Sequence, residues 1–535
     1  MNVGLAPGDA ERSSMHGRGA MIGEGRNSFE GLEHRAARVS LVNGLSTVLT
    51  LIFQLVSVPV CLKFWGKESY GGWLALLSAF MLLRSLDGGF ALFVGNKLNV
   101  LYHRDTAALR LHLASAAAGI IVVSGLQLLL AFGALGFEPL ARMLGMPIEL
   151  NGDRTAQIGL VVLVVSWATT GSYVGIVHRL LIPAGMMYQS AWWAMAFQVV
   201  QFAAIMAAAG LRLGLLQTSA LFAASQILIY VSSAIYVRKA LPAFSPWLRG
   251  ATISVGVRDL AHSIMLTASN VVQQVATNGI VLSIAALAGP IAVPIFTTVR
   301  TLTNLWTAVT TVLTAPLLPE VVRLHAIGET AKLGSLNEVY WVLVGSAVNF
   351  GALLFFPLMP FIYAQWTAHA VVLNEPLLAL MLGGVVITNW GALMALHLNG
   401  INSLRIVLGA SVARAGVALG GGILLYRSFG LAGFGLSILL GELSAALLTA
   451  RHFIKRELAQ NRVRVKFSSY GPAGAGTGST LLFFVGRASG WWSGTWVWVL
   501  ALAAVSGCFL WGWKGLDSDL RTRLLGLATR WRRSS

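Results

Sequence analysis

Ser40–Phe90 reads SLVNGLSTVLTLIFQLVSVPVCLKFWGKESYGGWLALLSAFMLLRSLDGGF. Two apolar runs, near 40–62 and 70–94, flank a short polar step. At 1.5 Å per residue each run is long enough to cross about 30 Å of hydrocarbon as a helix. Inside lipid every backbone N–H and C=O must be satisfied within the segment, which helices achieve and irregular chain does not. Membrane-spanning strands would show shorter segments of alternating apolar and polar residues, and this stretch does not alternate. The opening therefore predicts a helical hairpin through a bilayer.

The rest of the chain repeats that reading. Of 535 residues 56% are hydrophobic and 11% charged, and mean hydropathy is +0.73; a soluble domain carries about 25% charged residues. Further apolar runs fall near 111–135, 157–177, 190–211 and 217–236, then near 261–285, 290–317, 338–362, 377–397, 404–426 and 431–450. The predicted fold is an all-α polytopic membrane protein with two lobes of six transmembrane helices and one or two extra C-terminal helices. Its expected organisation is a disordered cytoplasmic tail over 1–38, an N-lobe over 39–237, a cytoplasmic linker over 238–259 and a C-lobe over 260–450. A basic, then Gly- and Ser-rich connector follows over 451–479, then extra membrane segments over 480–513 and a basic tail over 514–535. The only strongly apolar piece of the first extra segment is Leu481–Val485, which is short for a crossing, so a thirteenth span and a hairpin are both open, the hairpin being favoured.

The formal charge is +18. Lys and Arg gather on alternate loops, 22 on one side (Arg35, Arg110, Arg179, Arg238 and Arg451 among them) against 6 on the other. Positive-inside places the N-terminus in the cytoplasm, and the expected location is a bacterial inner membrane. The charge is thus an orientation signal and not a nucleic-acid surface. Cys61 and Cys508 form no metal motif, no P-loop is present, and histidines such as His178, His262, His325 and His397 have no metal spacing, so no metal, cofactor or enzymatic activity is expected.

Charges within spans are costly and normally face a bundle interior or a water-filled cavity. Arg84 and Asp87 sit three residues apart in the second helix and share a face. Arg300, Arg414 and Glu442 fall in the eighth, eleventh and twelfth helices; the two arginines have no acidic neighbour at helical spacing, and Glu442 can pair with one of them. The seventh helix carries Asn270, Gln273, Gln274 and Asn278 in SNVVQQVATNGI, expected on one broad face.

The opening stretch, with Asn43–Gly44 entering its first helix, Pro59, the FWGKESYGGW loop and the Asp87–Gly88 step, resembles polysaccharide flippases of the MOP exporter superfamily. So do LAGPIAVPIFTTVRTLTNLW (287–306) and LTAPLLPEVVRLHAIGE (313–329). The resemblance, over about Val39 to Lys455, implies alternating-access flipping of an undecaprenyl-pyrophosphate-linked oligosaccharide for cell-surface glycan synthesis, alongside a glycan polymerase or glycosyltransferase. On that basis Arg84, Arg300, Arg414, Gln273 and Asn278 are candidate substrate contacts, and Asp87 and Glu442 candidates for H+ or Na+ coupling. The alternatives are a multidrug or organic-cation antiporter of the same superfamily, which would favour acidic cavity residues, and a non-transporting scaffold in envelope assembly.

Overall fold

A computed structural model describes residues 9–138, 154–314, 317–400, 403–460, 463–492 and 494–534, and within them every regular element is a helix. Eleven helical stretches among these residues are long and apolar enough to cross a membrane. The first of them, Gly44–Leu101, lies in a longer helix of two limbs, α1 (9–65) and α2 (67–101), broken where Gly66 adopts φ +74°. That backbone conformation is open to glycine at little steric cost. The N-lobe continues with α3 (Thr106–Gly136), α4 (Thr155–Leu181), α5 (Met187–Gly210) and α6 (Leu215–Ala240). The C-lobe comprises α7 (Ile253–Ala288), α8 (Ala292–Thr314), α9 (Thr330–Trp366), α10 (Glu375–Gly400), α11 (Leu404–Phe429) and α12 (Leu431–Leu458). A short helix, Leu317–Ala326, joins α8 to α9. Finally α13 (Phe467–Ala488) and α14 (Thr495–Gly515) form a hairpin against α9 and α10.

Three boundaries differ from those expected. Helical backbone begins at Asp9 and not near residue 39, as happens when an anchored helix propagates at one hydrogen bond per added residue; residues 1–8, and much of the loop between α3 and α4, lie outside the described residues. The linker over 238–259 contracts to 241–252, because α7 already starts at Ile253. The Gly- and Ser-rich connector is largely helical: α13 starts at Phe467, so Leu481–Val485 is part of a longer helix, although that helix is not among the eleven stretches apolar enough to cross a membrane. Its small residues serve packing. A Cβ at Gly515 would meet the Ser468 carbonyl oxygen at 2.6 Å, and one at Gly476 would touch Cys508. Small residues let membrane helices approach where no hydrophobic driving force separates lipid from protein.

The lobes meet along α2 and α7. A Cβ added to Gly89 would collide with the backbone N and Cα of Thr267, and one at Gly88 with the Asn270 amide. Toward the basic-loop end, Asp259 of α7 is fully buried and accepts from Lys97 Nζ of α2 at 2.8 Å and lies 2.6 Å from His112 Nδ1 of α3. At the opposite end Gly71 lies against Pro290. Within the C-lobe, α11 and α12 close over Gly421, Gly422, Gly433 and Gly441, and Ser437 Oγ donates to the Ala418 carbonyl at 2.8 Å.

Candidate functional site

Two polar cavities lie on either side of α7, and nearly all the residues singled out from the sequence line one or the other. In the C-lobe a cavity of about 270 Å3 is lined by Arg300, Arg414, Glu442, Asn304, Thr277 and Thr388. It is adjoined by a second space of about 250 Å3 that shares Arg414, Glu442 and Thr388 and adds Gln273. In the N-lobe a cavity of about 410 Å3 is lined by Arg84, Asp87, Trp167, Arg179, Asn270 and Gln274, with Tyr230 beside them. A cavity of about 290 Å3 at the far end of the N-lobe carries one charged side chain, Glu68, and none of these arginines.

The glycine seam between α11 and α12 sets Arg414 opposite Glu442: Nη1 and Oε1 are 3.6 Å apart, and both side chains keep partial exposure to the cavity. The carboxylate thus offsets one guanidinium while leaving most of its donors for something else, since guanidinium presents five N–H groups. Arg414 Nε is itself buried and unpartnered. Arg300 is held differently. Residues Val275–Gly279 of α7 form a π-turn, and the Thr277 carbonyl accepts from Arg300 Nη1 at 2.8 Å. An inserted π-turn frees a carbonyl from the regular ladder, and such turns recur at functional sites.

In the N-lobe Arg84 and Asp87 share a helix face, as expected, but no ion pair within 4 Å joins them among the described residues. Trp167 stands between them. The guanidinium carbon of Arg84 lies 3.8 Å from the indole centroid, a cation–π contact, while the indole Nε1 donates to Asp87 Oδ2 at 2.6 Å. Ser172 Oγ donates to the same oxygen at 2.5 Å. Trp167 opens the π-turn Trp167–Gly171 of α4 and Ser172 follows it directly, so the turn aims both donors at the buried carboxylate.

The polar residues of α7 do not share one face. Asn270 and Gln274 look into the N-lobe cavity, and Asn270 Nδ2 donates to the Ser85 carbonyl at 2.8 Å. Gln273 looks into the C-lobe space. Neighbouring positions on a helix diverge by about 100°, enough to assign Gln273 and Gln274 to opposite chambers. Asn278 lines neither cavity as described; its amide donates to Gln274 Oε1 at 2.6 Å and holds that side chain.

Arg179 was not singled out beforehand. It reads as a loop cation in the charge count, yet it lies at the end of α4 within the N-lobe cavity, its stem packed on Gly95. Two glycines, Gly95 and Gly175, within reach of an apparent loop arginine are the only sequence trace of this. The histidines that seemed scattered are not all apart either: His325 and His397 converge on Glu457.

No family model and no curated protein matches the chain. Solved structures do. A lipid II flippase MurJ in an inward closed conformation aligns over 90% of this chain and 99% of its own at 11% identity, with TM-score 0.66. An inward-facing multidrug resistance MATE family transporter of the MOP superfamily aligns over 76% and 95% at 15% identity, with TM-score 0.59. A MOP superfamily transporter from Pyrococcus furiosus, described as having reverse polarity of its binding pocket, aligns over 79% and 96% at 14% identity, with TM-score 0.51. The chain therefore has the fold of the MOP exporter superfamily.

Proposed function

We propose that this protein carries an anionic, lipid-linked oligosaccharide diphosphate across a bacterial inner membrane by alternating access, for export of a cell-surface glycan. The observation that carries the reading is the charge of the two chambers: Arg300 and Arg414 against Glu442 in one, Arg84 and Arg179 against Asp87 in the other. Each chamber keeps one positive charge in excess, in surroundings where charge is expensive. Guanidinium suits a diphosphate because it stays ionised and presents paired donors. A carrier of organic cations would gain from the opposite sign. The chambers flank α7, where the two lobes meet, and a site at such an interface suits alternating access. Asp87 and Glu442 are the groups through which H+ or Na+ would couple to the cycle, and a glycan polymerase or glycosyltransferase is the expected partner in the membrane.

The test is flipping of an undecaprenyl-pyrophosphate oligosaccharide in proteoliposomes, with Arg300→Ala and Arg414→Ala compared to wild type at matched folded protein. Flux in wild type that is lost in either variant supports the reading. Flux that survives both removes the arginines from it, and ethidium-type cation efflux in place of lipid flipping replaces it with the antiporter. Neither activity would point to the scaffold.

A further inference from the structure

The basic-loop end of the C-lobe holds a second polar cluster, whose three side chains line neither chamber. Glu457 projects from the π-turn Ile454–Leu458 that ends α12, His397 from the last turn of α10, and His325 from the short helix after α8. Glu457 Oε2 lies 3.1 Å from His397 Nε2 and 3.9 Å from His325 Nδ1. One donor atom from each residue falls within 4.8 Å of the others. We propose that these three side chains form a binding site for a divalent transition ion of the Zn2+ type, which ties α10, α12 and the α8–α9 connection together. This inference does not depend on the transport reading.

The geometry and the donor chemistry agree. Zn2+ binds imidazole nitrogen and carboxylate oxygen at about 2.0–2.2 Å in tetrahedral sites, so its ligands stand roughly 3.2–3.6 Å from one another. The observed separations reach that arrangement with shifts of side-chain rotamer size. Two imidazoles and one carboxylate favour Zn2+, Co2+ or Ni2+ over Mg2+ or Ca2+, which take oxygen shells. The His397 and Glu457 side chains have no solvent exposure, whereas His325 keeps 28%. The site therefore has a closed floor and one open edge, through which an ion enters and where a water completes the fourth position. The His397 ring stands edge-on to Phe453, a member of the buried apolar cluster that also holds Leu324 and Leu393. His397 presents Nε2 to the carboxylate, and among the described residues its Nδ1 makes no hydrogen bond.

The π-turn is what makes the cluster. Its extra residue advances the register of α12 at its final turn and swings Glu457 to the buried side, while Lys455 and Arg456 next to it remain exposed.

The test uses the full chain in lipid nanodiscs, stripped with a chelator and titrated with Zn2+ calorimetrically and with Co2+ by visible absorption. The variants are His325→Asn, whose side chain is partly exposed, and Glu457→Gln. One ion per wild-type chain, a tetrahedral Co2+ spectrum, and affinity at least tenfold weaker in both variants are expected. Zn2+ should also raise the melting temperature of wild type and leave that of His325→Asn unchanged. Binding that is equally tight in the variants, or a wild-type melting temperature indifferent to Zn2+, would overturn the site and leave a buried histidine–carboxylate hydrogen bond in its place.

Discussion

Replacing Gly89 with alanine probes the contact on which the relation of the two lobes depends. The new methyl group would collide with the backbone N and Cα of Thr267 and the carbonyl carbon of Leu266, well inside the 3.0 Å that real Cβ atoms keep. Backbone atoms of a helix cannot rotate aside as a side chain can, so α2 and α7 must part by on the order of 1 Å. Overpacking of this kind costs about 1–3 kcal/mol. Only the arrangement with α2 against α7 carries that cost, so its population relative to an arrangement with these helices apart falls by about 5- to 150-fold. Spin labels at Val100→Cys and Val257→Cys, both exposed near the basic end of α2 and α7, report the separation in a background lacking the partly exposed Cys508. The distance distribution should move from a single short population toward a longer one. Gly72→Ala is the control, since a Cβ there meets nothing within 4 Å. A Gly89→Ala protein that is folded and keeps the parent distance distribution would refute the close contact and the population argument with it.

Other consequences follow from the two chambers. Arg179→Ala should reduce flipping as severely as Arg84→Ala, measured in the same proteoliposomes, whereas substituting Arg238, exposed in the last turn of α6, should leave it within twofold. Trp167→Phe keeps a ring for Arg84 but removes the N–H that Asp87 accepts, and should destabilise the folded protein by about 1–3 kcal/mol in reversible unfolding; Trp167→Leu, which also removes the cation–π face, should cost more. A double-mutant cycle of Arg414→Gln and Glu442→Gln should give a coupling of about 0.5–3 kcal/mol, with the double variant losing less stability than the sum of the two single losses. A coupling near zero would mean that water in the cavity screens the pair completely.

Much of this was legible because the bilayer imposes strong, local rules. Apolar runs of spanning length located the helices, and an arginine within such a run had to face a cavity or a partner, which is where Arg84, Arg300 and Arg414 are found. What escaped the sequence is whatever depends on register within a helix or on distant segments meeting. Gln273 and Gln274 look alike in a periodicity argument, yet one step of rotation sends them to different chambers. The π-turns at Trp167–Gly171, Val275–Gly279 and Ile454–Leu458 leave no composition signal, although each one positions a polar group. Small residues were read as linker at 467–479 because flexibility and close packing call for the same amino acids; only the partner helix, α14, distinguishes them. His325, His397 and Glu457 lie too far apart along the chain for spacing to connect them.

The position of α7 has one more implication. A single helix forms a wall of both chambers, so it works as a party wall: whatever room one side gains by its bending, the other side gives up. The π-turn at Val275–Gly279, where the ladder of hydrogen bonds is already irregular, is the natural crease. If occupancy of one chamber bends α7, the other chamber changes by volume, with no need of a chain of polar contacts between them.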